Sequence, residues 1–199
     1  MLDIKGKKII IDAGPDFRYQ MLRSQVKDLR AILLTHGHKD HIGGLDDVRA
    51  FNWVKQGAVD VYGNEGTREV VYKDFSYAFA AFRYPGVPEI NYHVIDDRPF
   101  YIDDIQVVPI PVLHYKMPVL GFRIGNFAYI TDAKTIPASS MERLKGVEYL
   151  VINALRKELH MSHFNLEEAL TMIARIQPKS AFLTHIGHQM LSLIHISEP

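Results

Sequence analysis

The chain has 199 residues, of which 47% are hydrophobic and 23% are charged, and its formal net charge at pH 7 is zero. This is the composition of an ordinary globular protein, and the balanced charge gives no sign of a nucleic-acid-binding or membrane-binding surface. The chain contains no cysteine, which excludes disulfides, thiolate catalysis and cysteine-ligated zinc within it. Neither a long apolar run nor a signal peptide is visible, so we expect a soluble cytoplasmic protein of one domain.

In the first half of the sequence, predicted strands alternate with predicted helices. The β-branched run at residues 9–11 predicts a strand that stops before Gly14 and Pro15. A short helix is expected over residues 16–24, with Phe17, Met21 and Leu22 on one face. The remaining expectations are a buried strand over 29–34, a helix over 45–53, a strand over 59–62, and a helix over 65–81 with Tyr and Phe on its inner side.

The second half begins with predicted strands over 92–95, 100–102 and 105–112, joined by acidic turns. Gly125-Asn126 predicts a hairpin between strands 119–124 and 127–130. A helix over 137–144 and a strand over 147–152 follow. A helix over 165–176 is expected to begin with a capping box formed by Asn165 and Glu168, and a last strand covers 180–184. Antiparallel pairs in the middle and strand–helix alternation elsewhere indicate a layered α/β sandwich.

The end of the sequence, residues 191–199, resembles a translated sequencing adapter and does not continue the pattern of the preceding residues. We therefore expect the domain to comprise residues 1–190 and treat the last nine residues as an artefact.

The densest chemical signal lies in residues 35–41, which read Thr-His-Gly-His-Lys-Asp-His. It places His36, His38, Asp40 and His41 directly after an apolar strand. Imidazole and carboxylate groups are the ligands that zinc and similar divalent metals prefer. Because packing unliganded imidazoles and a carboxylate together has no structural benefit, the motif predicts a metal site.

Three further donors, His114, Asp132 and His185, each follow a predicted strand. A single donor in such a place is more often a turn residue. Together with the strand before His36, however, four strands are each followed by a potential metal ligand, which favours one shared site. Asp12, behind the first strand, has two equally good interpretations. It orients a ligand histidine from outside the metal site, or it caps a turn.

With these motifs, in this order and at about this spacing from residue 9 to residue 190, the sequence resembles the metallo-β-lactamase-fold hydrolase superfamily. The resemblance implies an αββα sandwich and two divalent metal ions, with zinc preferred and manganese or iron as alternatives. It assigns one metal to His36, His38 and His114, the other to Asp40, His41 and His185, and Asp132 to both. Relatives extend beyond this sequence on both sides, so we expect a fragment truncated at both ends.

Residues 161–169, together with 183–189, are similar to the phosphodiesterase branch that includes phosphoribosyl 1,2-cyclic phosphate phosphodiesterase. This similarity implies that His163 protonates the leaving oxygen after metal-bound hydroxide attacks phosphorus. His160 is a competing candidate, a surface histidine is the alternative for His163, and His188 is expected to lie outside the ligand set. Asp40 and His163 are the expected catalytic residues.

The predicted function is therefore a phosphodiesterase for a small cyclic or nucleotide-like phosphate ester. The partner is a small molecule rather than a nucleic acid or a membrane, and a homodimer is possible. Hydrolysis of a thioester or a lactam on the same metal frame is the first alternative. Processing of the tRNA 3′ end is less favoured because no basic RNA-gripping insertion is visible. A binding protein on a retained fold is the non-enzymatic alternative.

Overall fold

Two β-sheets organise the computed structural model, which describes residues 1–190. Each sheet belongs to one of two compact units, Met1–Asp96 and a second unit that starts at Asp97. Helices accompany the sheet in both units, so the predicted α/β class is confirmed. Residues 191–199, predicted to be an artefact, lie outside the described residues, and the domain boundary at residue 190 stays a prediction.

The sheet of the first unit has the strand order β1-β2-β3-β4-β5. Only β1 and β2 are antiparallel, and the other neighbours are parallel. The central strand β3 is fully buried, as its continuous apolar sequence predicted, but it is shorter than residues 29–34. The strands are β1 (Leu2–Ile4), β2 (Lys7–Ile11), β3 (Ala31–Leu33), β4 (Val59–Gly63) and β5 (Ile90–Val94).

Strand β1 was not predicted. It forms a hairpin with β2, in which Leu2 pairs with Ile9 and Ile4 with Lys7. The two turn residues, Lys5 and Gly6, have φ values of 53° and 83°. Positive φ at both central residues is the geometry of a tight hairpin turn, so Gly6 was the available signal.

Two of the predicted helices in the first unit are interrupted. The segment predicted over 45–53 is a 3-10 turn followed by α3, and the segment over 65–81 is broken at Phe75. Phe75 is buried, whereas Tyr72 and Tyr77 are each more than two-fifths exposed, so the predicted aromatic inner face is only partly correct. The helical segments are α1 (Phe17–Arg23), α2 (Lys39–Ile42), the 3-10 turn (Leu45–Val48), α3 (Arg49–Lys55), α4 (Glu65–Asp74) and α5 (Ser76–Phe79).

The buried side of α1 carries Phe17 and Met21, as predicted. Leu22 is 68% exposed, so its placement on that face was wrong. Trp53 on α3 is also largely exposed, at 80%. The apolar core of this unit lies between the helices and the sheet and includes Ile10, Ile32, Leu34, Leu45 and Val61.

The sheet of the second unit has the order β11-β10-β9-β8-β7-β6. Strands β6 to β9 are antiparallel, whereas β9, β10 and β11 are parallel. The predicted hairpin is present, with Ile124 paired with Phe127 and Gly125 at a φ of 58°. The strands are β6 (Phe100–Ile102), β7 (Ile105–His114), β8 (Met117–Ile124), β9 (Phe127–Ile130), β10 (Tyr149–Asn153) and β11 (Ser180–Thr184).

The helices of this unit are α6 (Ala138–Arg143) and α7 (Leu166–Ile176). The predicted capping box is confirmed, because the Asn165 side chain accepts from the Glu168 backbone N–H and the Glu168 side chain accepts from that of Asn165. The core of the unit includes Ile130, Leu150 and Ile152 from the sheet and Ala169 from α7. None of the helices within residues 1–190 combines the length and apolarity needed to cross a bilayer.

Asp60 on β4 binds side chains from both neighbouring segments of the first sheet. Its carboxylate lies 2.6 Å from Arg30 Nη1, accepts from Asn91 Nδ2 at 2.9 Å, and lies 2.9 Å from His93 Nε2. Partial burial alone would raise the pKa of Asp60, but these hydrogen bonds and the charge of Lys55 lower it to about 2. The ionised carboxylate therefore helps to fix the pairing of β4 with its neighbours.

We expect Asp60→Asn to lower the free energy of unfolding by about 1 kcal/mol at pH 7, after allowance for solvent screening. A pKa that is lower in the folded state stabilises the protein above the unfolded pKa, and this stabilisation is lost as the pH falls from about 4 towards 2. Urea unfolding at a series of pH values measures the difference. The exposed Asp28→Asn serves as the control, and a difference from wild type that does not shrink with acid would contradict the prediction.

Candidate metal centre

Asp12 fixes the start of the histidine-rich loop in the first unit. It directly follows β2 and has a φ of 61°, and its N–H donates to the Leu33 carbonyl at 2.8 Å. One carboxylate oxygen accepts the Thr35 backbone N–H and the other accepts the Thr35 hydroxyl, both at 2.8 Å. Asp12 thereby connects the end of β2 to the end of β3, where the loop begins.

The same groups hold the rings of His36 and His41. Nδ1 of His41 lies 2.7 Å from Asp12 Oδ2, and Nδ1 of His36 lies 2.9 Å from the Thr35 hydroxyl. An ionised carboxylate can only accept, and the Thr35 hydroxyl already donates to Asp12, so we assign the ring proton of both histidines to Nδ1. Nε2 of each ring then carries a lone pair that can bind a metal.

Asp12 therefore fulfils both of the roles that its sequence position allowed, because it orients His41 and caps the turn at Thr35. Burial raises the pKa of Asp12, and the hydrogen bonds from His41 and Thr35 oppose that rise. Its side chain is only 10% exposed.

The four predicted donors of this unit lie in two close pairs. His36 Nε2 is 2.9 Å from His38 Nδ1, and His41 Nε2 is 3.3 Å from Asp40 Oδ2. The rings of His36 and His41 are buried with their centroids 4.1 Å apart, whereas His38 and Asp40 are exposed. The turn that follows requires Gly44, because a Cβ there would collide with the Gly14 carbonyl.

In the second unit, the donors gather around Asp132, which follows β9 and is 1% exposed. The Thr131 hydroxyl donates to Asp132 Oδ1. Oδ2 lies 3.1 Å from His163 Nε2 and 3.3 Å from His185 Nε2. The structure of this unit therefore brings His163 and His185, which are 22 positions apart in the printed sequence, to the same carboxylate oxygen.

His114 is the last residue of β7 rather than a residue beyond it, because β7 runs two residues further than predicted. Its Nδ1 lies 2.8 Å from the Ser162 carbonyl, which can only accept, so Nε2 carries the lone pair. The ring packs edge-on against that of His163 with centroids 4.4 Å apart, and the His185 ring stacks on His163 at 4.9 Å.

His163, the predicted proton donor, is only 9% exposed and is therefore not a surface histidine. Its Nδ1 lies 3.1 Å from Nδ1 of His160, the competing candidate. Burial lowers the pKa of His160, and the positive charges of His163 and Arg156 add to the effect. His188 is exposed.

Sequence reasoning missed the groups that hold these donors in place. Thr35 links Asp12 to His36, and the Ser162 carbonyl anchors His114. A backbone carbonyl leaves no mark in the sequence. The threonine before His36 was visible as part of the motif but carried no assigned role.

The donor set fits divalent metal ions. It consists of neutral imidazoles and carboxylates, and three of the histidines have Nδ1 anchored on a protein acceptor. The described residues include His and Asp clusters that could hold such an ion. The individual metal assignments of His36, His38, Asp40, His41, His114, Asp132 and His185 stay predictions.

Comparison with known proteins gives consistent similarities. A family model described as the beta-lactamase superfamily domain matches residues 7–186. A solved structure described as a new diphosphatase from the PhnP family is 34% identical, with a TM-score of 0.87 over 98% of this chain and 75% of that one. An octanoyltransferase of Porphyromonas gingivalis is 40% identical over 185 residues, and a ribonuclease Z of Nostoc punctiforme is 30% identical over 121 residues.

The two named enzymes are much longer than the segment they share with this chain. The match covers 92% of this chain but 37% of the octanoyltransferase, and 59% of this chain but 37% of the ribonuclease Z. Nearly two thirds of each relative therefore lies outside the matched segment.

We expect Asp12→Asn to weaken divalent-metal binding by about 10- to 100-fold. An amide has one acceptor oxygen where a carboxylate has two, so asparagine cannot accept from both the Thr35 N–H and His41 Nδ1. Asn tolerates positive φ, so the backbone at this position remains unstrained. Competition with a chromogenic chelator measures the affinity, and Asp16→Asn, on an exposed residue nearby, is the control. Unchanged metal affinity in Asp12→Asn would contradict the role of Asp12 in orienting His41 for metal binding.

Proposed function

The chain belongs to the β-lactamase superfamily, and from this premise we propose that it is a metal-dependent phosphodiesterase acting on a small cyclic or nucleotide-like phosphate ester. The 34% identity to a diphosphatase of the PhnP family supports phosphate-ester chemistry. The octanoyltransferase name describes a protein of which this chain spans only 37%, so acyl transfer has weaker support.

We propose that two divalent ions, preferably zinc with manganese or iron as alternatives, are held by seven residues. His36, His38 and His114 would hold one ion, Asp40, His41 and His185 would hold the other, and Asp132 would contribute to both. When bound, such a pair of cations activates water at neutral pH and neutralises charge on phosphoryl oxygens.

The observation that carries the proposal is the place of His163. It is an imidazole outside the predicted ligand set, yet its Nε2 lies 3.1 Å from Asp132 Oδ2 and its ring contacts those of His114 and His185. A proton on His163 Nε2 is held by Asp132 and can be transferred to the leaving oxygen of a phosphate ester bound beside His163. Positioned general acids contribute on the order of 10²- to 10⁴-fold to rate.

Asp40 is the second proposed catalytic residue. Its carboxylate is exposed in the histidine-rich loop and lies 3.3 Å from His41 Nε2. A carboxylate oxygen in this place can accept the proton of an attacking water while His163 supplies one to the leaving oxygen. In this proposal the water proton is taken up at Asp40 Oδ, and the proton for the leaving group is released from His163 Nε2.

Processing of the tRNA 3′ end is the second candidate, favoured by the ribonuclease Z similarity. The zero net charge favours a small phosphate ester instead. Hydrolysis of a thioester or a lactam remains the alternative that would use the same metal ligands without a need for His163. To distinguish these reactions, the same metal-loaded protein is assayed with four substrates: a cyclic phosphodiester, a thioester, a lactam and a precursor tRNA.

We expect Asp132→Ala to abolish turnover of a model phosphodiester such as bis(p-nitrophenyl) phosphate, because the residue is proposed to bind both ions. Metal content should fall in the same variant, as measured by mass spectrometry of the desalted protein. Glu158→Ala, on an exposed residue of the same unit, is the control and should keep full activity. Retained turnover in Asp132→Ala would refute the metal assignment. If the wild-type protein bound no divalent metal, the non-enzymatic alternative, a binding protein, would be favoured.

A further inference from the structure

An ion pair between Lys134 and Glu168 lies beside the donors of the second unit without belonging to them. Lys134 Nζ is 2.6 Å from one carboxylate oxygen of Glu168 and 2.7 Å from the other. Both side chains are partly buried, at 23% and 31% exposure. Lys134 stands two residues after Asp132, and Glu168 lies in the first turn of the helix that follows His163. The pair therefore joins the two segments that carry these residues.

Glu168 is itself held rigidly at the start of α7. Its Oε2 accepts the Asn165 backbone N–H at 3.0 Å, and the Asn165 side chain accepts the Glu168 N–H at 2.9 Å. Asn165 also donates to the Lys157 carbonyl at 3.0 Å. The carboxylate that binds Lys134 thus belongs to a fixed helix terminus, whose N-cap residue Asn165 is two residues after His163.

A backbone hydrogen bond joins the same two segments at a different point. Phe164, next to His163, donates its N–H to the carbonyl of Ala133, next to Asp132, at 2.8 Å. Ala133 is fixed in turn by the Asn153 side chain, which accepts its N–H at 2.8 Å and donates to its carbonyl at 3.0 Å. The segment around His163 is also tied to the residues before it, because Leu155 donates to the Phe164 carbonyl at 3.0 Å and Leu166 donates to the Arg156 carbonyl at 2.9 Å. The Lys134–Glu168 ion pair adds a charged side-chain contact between the first turn of α7 and the segment that carries Asp132.

We propose that Lys134 and Glu168 are positioning residues for His163. Together with the Phe164–Ala133 hydrogen bond, their ion pair keeps Nε2 of His163 within hydrogen-bond distance of Asp132 Oδ2. Neither residue touches the reacting atoms. The inference rests on the proposed function, in which His163 protonates the leaving oxygen.

The variant Glu168→Gln tests this role. Glutamine can still accept the Asn165 N–H, because Gln is the other residue that closes a capping box, but it no longer offers a charge to Lys134. We expect kcat for a phosphodiester with an alkyl leaving group to fall roughly tenfold, with KM unchanged. Turnover of a p-nitrophenyl diester should change by less than about twofold, because a good leaving group needs little help from a general acid.

Three further variants separate positioning from a loss of helix stability. Glu167→Gln removes a charge from the same first turn of α7 without touching Lys134, and both diesters should be turned over at the wild-type rate. Lys134→Arg keeps a cation opposite Glu168, so this variant should turn over the alkyl diester at the wild-type rate. Lys134→Gln removes the positive partner of the ion pair and should cause the same selective loss of turnover of the alkyl diester. It also tests the proposal if Glu168→Gln does not fold.

His163→Ala distinguishes a failure of this inference from a failure of the proposed function. If His163→Ala slows both diesters equally or neither, the general-acid role is wrong. If His163→Ala selectively slows the alkyl diester but Glu168→Gln and Lys134→Gln do not, the positioning role is wrong. In a His163→Ala background, Glu168→Gln should have no further effect on either substrate, since the two changes remove the same contribution.

Discussion

Fixed acceptors on the Nδ1 atoms of three donor histidines are the constraint on which both donor groups depend. An imidazole binds a metal through one nitrogen only when the proton sits on the other. Asp12 accepts from His41, the Thr35 hydroxyl from His36, and the Ser162 carbonyl from His114. Each acceptor comes from a segment that the local fold holds in place, so the basic nitrogens are presented before any ligand arrives.

The two units build their donor groups by different means. In the first unit, a short loop after a buried strand carries all four donors, and one carboxylate, Asp12, organises the loop. In the second unit, the donors come from the ends of separate strands and from the segment before α7. Long-range ties such as the Phe164–Ala133 hydrogen bond and the Lys134–Glu168 ion pair hold them together.

The sequence allowed the elements and the donors to be predicted where local chemistry decides the outcome. Gly125-Asn126 predicted the hairpin, and Asn165 and Glu168 predicted the start of α7. His114, Asp132 and His185 lie at the ends of β7, β9 and β11 or within two residues of them. Prediction failed where tertiary packing decides. The helix expected over 65–81 is interrupted at Phe75, which is buried and has a φ of −114° and a ψ of 35°. Leu22 faces solvent although its spacing suited the core.

The anchors of the site were harder to predict than its donors. The group that orients His114 is a backbone carbonyl 48 residues away, and a carbonyl is common to every residue type. Asp12 was recognised, but its contacts with both Thr35 and His41 form only in the folded chain. The residues with a distinctive side chain were therefore visible, whereas the contacts that orient them depend on the folded chain.

The exposed position of Trp53 on α3 determines what the intrinsic fluorescence of this protein can report. It is the single tryptophan of the chain, and 80% of its surface meets water. Its emission is therefore red-shifted in the native state and changes little when the core is disrupted. A shift of the emission to shorter wavelength would indicate that another molecule has bound over this face of α3. The intrinsic tryptophan fluorescence therefore reports association at that surface without an added label.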